Sequence, residues 1–522
     1  MLPNREPVPL LVIGTGASGC AAALAAAQAG LEVALVTKPR DASQSNTAYA
    51  QGGIIARGVD DSPELLARDI LAAGDGLCDP DAVEVLAREG PPLVEEMLVR
   101  RLEVPFSRNS HGELDYTQEA AHSTRRIIHS DDATGAAIEV KLVEAVKANP
   151  LVKVITNCTA VDLITVPHHS TDPLDIYLDT TCLGAYFLDN AAGRVGPIFA
   201  HHTVLATGGL GQIYLHTTNP SVARGDGLAM ASRAGAQILN AEYVQFHPTA
   251  LYHRDADRFL ISESVRGEGA RLRTRQGAFF MEAYHPLGDL APRDVVARAI
   301  HEEMLKNHDE YVLLDLSDLQ VDPRERFPTI YTTCLRFGID ITREPIPVVP
   351  AAHYFCGGVK VDLWGHTDVR RLYAVGEVSC TGLHGANRLA STSLVEGLLW
   401  GARAGKQVAG EFTAVDSALF SHVAAWQDVG LTEESDPALV IQDWMTIKST
   451  MWNYAGIVRS ARRLDRAFAD LSYLNHRIEQ FYRETKLTDN LVGLRNGLQA
   501  ALIVADAARR NPHTRGCHYR VD

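Results

Sequence analysis

Apolar residues open the chain as a short run, PLLVIG (9–14), and return as LEVALV (31–36) after an alanine-rich stretch closed by Gly30. Apolar runs of this length, bounded by glycine, predict two buried parallel strands joined by a helix. HTVLATGGLG (202–211) and RLYAVGEVS (371–379) have the same character and predict further strands of the same sheet. The sheet then draws on both sides of a long insertion, whose patterning over about 241–353 is mixed. Beyond about residue 425 the pattern turns helical. MWNYAGIVRSARRLDRAFADL (451–471) and NGLQAALIVADAARR (496–510) show helical spacing after a polar linker, TEESDP (432–437).

Between the first two predicted strands stands GTGASG (14–19). Gly14 permits the tight turn, Gly16 lets backbone approach a pyrophosphate, and Gly19 lets helix and strand pack closely. Phosphates would sit on the helix N-terminus, where unpaired N–H groups and the helix dipole favour negative charge. In this strand–turn–helix setting the glycines predict a dinucleotide, the alternative being a plain tight turn. The second strand ends in Thr37-Lys38, where simple NAD use would call for an acid. Glu377 falls at the carboxyl end of a predicted strand, where ligands of open α/β sheets collect. SNTAYAQGGI (45–54) carries no charge and two adjacent glycines, as a loop lying against a flat polar object would.

The 522 residues suffice for two or three domains, and the net charge of −15 argues against a nucleic-acid binder, which needs a basic face. No apolar run reaches the roughly 18 residues that span a bilayer. The N-terminus runs from a few polar residues into a strand, so secretion is not expected. The eight cysteines are scattered without a CxxC, which predicts buried or free thiols in a reducing cytoplasm and no zinc or iron–sulfur ligand set.

Candidate chemistry lies in EYVQFHPT (242–249), ISESVRGEG (261–269), APRDVVARA (291–299), AAHYFCGG (351–358) and GLHGANRLASTSLVEG (382–397). Arginine matches a carboxylate with paired donors, and His247, Arg293, His353 and Arg388 together would enclose a dianion. Each also has a plainer reading. His247 precedes a proline and can be a capping or core-satisfied residue, Arg293 and Asp294 can be a surface pair, and Arg266 with Glu268 can stabilise a turn. Arg388, in a small uncharged run, is the hardest to dismiss, since burying it without an anion is costly.

The motifs GTGASG, TAYAQGGI, ATGG, QFHPT, SVRGEG, APRD, HYFCGG and GANRLASTSL, in this order over nearly the whole chain, resemble the succinate dehydrogenase/fumarate reductase flavoprotein family. Thr37-Lys38 is similar to what that family carries. The resemblance implies an α/β, Rossmann-like FAD-binding domain (1–240 plus 354–425), an α+β capping domain (241–353) and a C-terminal helical domain (426–522). It implies FAD contacts from Gly14, Thr15, Gly16, Ala17, Ser18, Gly19 and Lys38. Further contacts would come from Ser45, Asn46, Thr47, Ala48, Tyr49, Ala50, Gln51, Gly52 and Gly53, and from Asp226, Glu377, Ser393 and Leu394. Asn46 stands where membrane-complex members carry a His covalently bonded to FAD, so the resemblance implies a non-covalent flavin.

Members acting on L-aspartate are the most similar, in YTQEAAHSTRRIIH (116–129), MWNYAGIVRSARRLDRA (451–467) and RGCHYRVD (515–522). That similarity implies that Glu119 faces the substrate ammonium while His247, Ser262, His353 and Arg388 hold its carboxylates. Arg293 would be the proton-transfer residue, with Glu263 and Arg266 as its relay. Two departures stand out: alanines follow Glu119 where glycines are common, and Ser262 replaces a threonine. The implied reaction is oxidation of L-aspartate to iminoaspartate, with O2 (giving H2O2) or fumarate as electron acceptor. It would be the first step of de novo NAD biosynthesis, its imine consumed by a quinolinate synthase. One alternative is a soluble fumarate reductase or a succinate dehydrogenase flavoprotein subunit, in which Glu119 is structural. Another is a flavin-binding scaffold, which would need no cluster of His and Arg beside the flavin.

Overall fold

The computed structural model describes residues 6–119, 121–256, 258–427 and 433–522. The first apolar run forms the strand Val8–Ile13 at the centre of a seven-stranded sheet. Val33–Val36 and Val152–Ile155 extend the sheet in parallel on one side, and Arg194–Leu205 lies parallel on the other. The last of these is long enough to serve two neighbours. Its carboxyl half also pairs in parallel with Leu372–Ala374, while its amino half pairs antiparallel with Thr181–Asp189, which in turn pairs with Cys158–Val166. Parallel strands buried on both faces read as continuous apolar runs, which is why Val33–Val36 is buried at every position.

Gly14 has φ +116°, and an added methyl would strike the Ala206 carbonyl. A methyl at Gly19 would strike the Gly14 carbonyl, so both positions require glycine. The helix Ala17–Gln28 is almost wholly buried, and it packs against the helix Thr392–Gly410. Their closest approach is through small residues: methyls at Gly401 and Gly405 would collide with the carbonyls of Ser18 and Ala22.

The inserted region folds as a four-stranded antiparallel sheet in the spatial order Val244–Leu251, Ile346–Phe355, Val312–Asp315 and Arg271–Arg273. The register between the first two strands slips between Gln245 and Phe246 and again between His247 and Ala250. Pro248, which has no N–H to give a ladder, lies on the edge strand at the second slip. Slips of this kind re-aim side chains beside active sites.

At the C-terminus run the helices Pro437–Tyr454, Ala461–Glu484 and Asp489–Arg510, each started by a side-chain cap from Asp436, Ser460 or Thr488. The segment 451–471 is therefore not one helix. Ala455–Ser460 breaks it, and a methyl at Gly456 would strike the Trp452 carbonyl. Thr432, first residue of the predicted linker, lies outside the described residues. Leu491, Leu494 and Leu498 share one apolar core with Leu11 and Ile13 of the parallel sheet. Among the described residues no helix is long and apolar enough to cross a membrane.

Candidate active site

The carboxyl ends of the parallel strands open onto a cleft with 1710 Å³ of atom-free space, its mouth included. The turn Gly14–Ser18 forms its floor. Gly16 is the N-cap of the first helix and offers no side chain, and the Ala17 N–H is taken by Thr47 Oγ1 at 3.0 Å. Thr15 donates its hydroxyl to the Ala42 carbonyl at 2.7 Å, tying the turn to the loop after the second strand. Ser45, Asn46, Thr47, Tyr49, Ala50, Gln51, Gly52 and Gly53 line the cleft, as do Glu377, Ser393 and Leu394. Gly19 and Ala48 do not line it. Gly19 packs beneath Gly14, and Ala48 sits in the 3-10 turn Thr47–Tyr49 with its N–H toward Ser45 Oγ at 3.4 Å.

Lys38 and Asp226 also line the cleft, and they form a salt bridge. Lys38 further donates to the Val222 carbonyl at 2.5 Å, while Asp226 accepts from Asn496 at 3.0 Å. Burial raises the pKa of Asp226, but Lys38 and Arg224 outweigh that effect and bring it down to about 2. Arg224 holds Asp489 at 2.7 Å, so this buried charge network fastens the last helix to the nucleotide end of the cleft.

Glu377 is half-buried, and desolvation pushes it up to about 7 against hydrogen bonds from the Phe355 N–H (3.0 Å) and the Asn46 amide (2.8 Å). A methyl at Gly209 would strike its carboxyl, which accounts for the second glycine of ATGG. Asn46 Oδ1, Gln51 Oε1 and Thr207 Oγ1 are buried in cleft-lining residues with no hydrogen-bond partner among the described residues. Buried polar atoms normally have partners. These orphans, above a glycine turn and a helix N-terminus whose N-cap has no side chain, fit a long polar cofactor such as FAD.

At its other end the cleft is lined by Glu119, His247, Ser262, Glu263, Arg293, His353 and Arg388. His247 is buried with Nδ1 3.2 Å from both the N and the O of Thr249, which leaves Nε2 for the cleft. His353 has Nδ1 2.8 Å from Thr218 Oγ1, and the two imidazoles meet edge to face at 5.2 Å. Ser262 caps the short helix Glu263–Gly267. Glu263 accepts from Arg293 Nε at 2.5 Å and lies 3.7 Å from Arg266. Burial pushes Glu263 up, but the two arginines outweigh it and hold the carboxyl below its ordinary range. Arg266 does not line the cleft. It lies fully buried behind Glu263 and donates to the Asp289 carbonyl.

Arg388 is buried, stacks 4.6 Å over the Tyr354 ring and donates to Ser393 Oγ at 3.2 Å. Among the described residues its Nε has no partner and no carboxylate lies within ion-pair distance. Burial and Arg293 lower its pKa. Glu119 is its complement: a carboxylate that accepts from Ser391 Oγ at 2.7 Å and makes no ion pair among the described residues.

Residues 10–394 match the family model described as FAD binding domain, and residues 445–522 match that of the fumarate reductase flavoprotein C-term. The chain is 42% identical to L-aspartate oxidase 1 of Ralstonia nicotianae, covering 98% of this chain and 94% of that one. It is 44% identical to L-aspartate oxidase of Halobacterium salinarum, covering 98% and 96%. The chain belongs to the L-aspartate oxidase family, within the succinate dehydrogenase/fumarate reductase flavoproteins. Its fold matches E. coli quinol fumarate reductase with a TM-score of 0.87 at 29% identity, covering 99% of this chain and 91% of that one.

For a member of the L-aspartate oxidase family, FAD is the cofactor, and the residues present fit it. Sequence motifs did not single out Thr218, Tyr354, Gln245 or Ser391. Gln245 and Tyr354 neighbour residues that were chosen, whereas Thr218 reaches the site only through the bridge between Thr217 and Ala352. Burial, followed by Arg293 for His247 and Arg388 for His353, drives both histidines well below their ordinary pKa. Lowered pKa values keep both rings neutral as pH falls through about 6.5, and kcat/KM reports the free enzyme. The expected fumarate kcat/KM profile shows no limb from either ring between about pH 6 and 7.5. A limb in that window that vanishes in His247→Asn or His353→Asn would contradict this electrostatic account.

Proposed function

We propose that the protein oxidises L-aspartate to iminoaspartate in this cleft. One observation carries the substrate choice: among the described residues, a buried guanidinium without a carboxylate, Arg388, and a carboxylate without a cation, Glu119, line the same cavity. A dicarboxylate with one ammonium satisfies both, with Arg388, His247, Ser262 and His353 on the carboxylates and Glu119 on the amine. When bound, FAD supplies the acceptor for the hydride from Cα and passes the electron pair to O2, giving H2O2, or to fumarate. Fixing both ends of a short substrate holds its Cα–H in one orientation, and such ordering supplies several of the roughly 7–11 kcal/mol seen in well-oriented intramolecular reactions. Hydride loss from Cα and loss of one proton from the ammonium leave the protonated imine, and loss of a second proton to solvent gives iminoaspartate.

Arg293 stands over this site with Nε on Glu263 and Nη1 3.5 Å from Gln245 Oε1. For fumarate reduction we assign it the proton that completes the product, resupplied through Glu263 and Arg266; for aspartate oxidation it stabilises charge. Asn46 offers an amide already engaged with Glu377 rather than an imidazole, which supports a non-covalent flavin. The eight cysteines are unpaired, in keeping with a reducing cytoplasm. Iminoaspartate hydrolyses readily, so a quinolinate synthase acting on it must follow closely.

Exchanging Glu119 for glutamine tests the ammonium contact. Glu119→Gln is expected to lower kcat/KM for L-aspartate about 10- to 100-fold, the worth of a charge-assisted hydrogen bond, while fumarate reduction falls far less. Equal losses on both substrates would remove Glu119 from substrate selection.

A further inference from the structure

Ser391 opens the 19-residue helix Thr392–Gly410 at the N-cap position, where a serine ordinarily accepts from a backbone N–H of the first turn. It makes no such bond. Its φ of +58° is left-handed, a conformation strained for a residue with a Cβ that persists only when its surroundings impose it. The hydroxyl instead donates to Glu119 Oε2 at 2.7 Å. Serine has thus given up a cap and taken a strained backbone in exchange for one bond to one carboxylate.

The surroundings make that bond directional. A methyl at Gly52 would come within 2.8 Å of Glu119 Oε1 and 3.7 Å of Ser391 Oγ, so the three residues meet at one corner of the cleft. A second stitch joins the same two segments. His122 accepts at Nδ1 from Arg126, which leaves Nε2–H to donate to the Ala390 carbonyl at 3.1 Å. Arg126 is itself clamped between Asp61 and Asp69. The segment carrying Glu119 and the turn carrying Arg388 are therefore pinned at Ala390, and Ser391 sets the remaining freedom of the Glu119 side chain.

We propose that Ser391 is a positioning residue for substrate selection, its left-handed backbone aiming the hydroxyl that orients Glu119 toward the substrate ammonium. Because Arg388 lies three residues earlier on the same turn, the spacing between the carboxylate-binding and ammonium-binding groups is fixed within one short segment. The proposal rests on Glu119 meeting the ammonium.

The test uses the FAD-loaded enzyme and the variants Ser391→Ala and Ser391→Gly. Glycine adopts the same φ without strain, so that variant removes the hydroxyl and keeps the turn. The readout is the ratio of kcat/KM for L-aspartate oxidation to kcat/KM for fumarate reduction. Both variants are expected to lower this ratio about 5- to 10-fold, chiefly through the KM for L-aspartate. In a Glu119→Gln background, Ser391→Gly is expected to lower it no further. A ratio within about twofold of the parent enzyme's, or the same loss again in the Glu119→Gln background, overturns the proposal. Should the parent enzyme reduce fumarate but leave L-aspartate untouched, the reading of Glu119 falls and the proposal with it. Normal L-aspartate turnover with an unmoved ratio in Ser391→Gly removes the proposal alone.

Discussion

Replacing Arg388 by leucine is expected to lower kcat/KM for L-aspartate and for fumarate alike by about 30- to several-thousand-fold, since truncating one partner of a buried charge pair costs about 2–5 kcal/mol. The guanidinium is buried, rests on Tyr354 and Ser393, and has an Nε without a partner among the described residues. Burying an unpaired charge is expensive, and the protein bears that cost until a substrate carboxylate arrives. Leucine removes the charge and keeps an apolar side chain over Tyr354. The variant's thermal midpoint without dicarboxylate is therefore expected to match or exceed that of the parent enzyme. Steady-state kinetics with both substrates, together with thermal unfolding with and without fumarate, checks the two halves. A variant that loses activity and unfolds earlier would make Arg388 a structural residue.

Exchanging Arg293 for lysine is expected to slow fumarate reduction by reduced enzyme about 10²- to 10⁴-fold, the usual worth of a positioned proton donor. The guanidinium spans two neighbours, Glu263 through Nε and Gln245 through Nη1. An ammonium is a compact point charge that cannot reproduce this fork. A guanidinium holds its proton tightly and is a poor acid by itself. Its use here depends on carbon becoming strongly basic as hydride arrives, and on Glu263 and Arg266 restoring the proton. Single-turnover reoxidation by fumarate separates this step from L-aspartate oxidation, in which the same variant is expected to lose less. Near-normal fumarate reduction by Arg293→Lys would remove the proton-donor role.

Local rules carried much of the nucleotide end. GTGASG lies between the strands Val8–Ile13 and Val33–Val36, and Gly14 and Gly19 have the steric reasons their spacing suggests. Lys38 was legible as an oddity but not as a partner of Asp226, because 188 positions separate them and only the fold brings them together. The plainer readings of single residues resolved differently. Asp294 pairs with Arg298 at 2.8 Å and leaves Arg293 to the cleft. Glu268 pairs with Arg326 rather than Arg266. His247 meets its plainer reading, with one ring edge spent on backbone, and it also lines the cleft. Periodicity alone could not show the break after Tyr454, since both flanking segments keep an apolar face and Ser460 starts a new helix by capping it. Nor could it show Ser391, whose role lies in a backbone angle.

The central claim is that the cleft is built for a dicarboxylate bearing an ammonium. Its most direct test is anaerobic mixing of the FAD-loaded protein with L-aspartate and, separately, with succinate, following the oxidised flavin absorbance. The account predicts bleaching by L-aspartate, recovery of the absorbance in air with formation of H2O2, and little bleaching by succinate. Bleaching by succinate alone, or by neither compound, would contradict it.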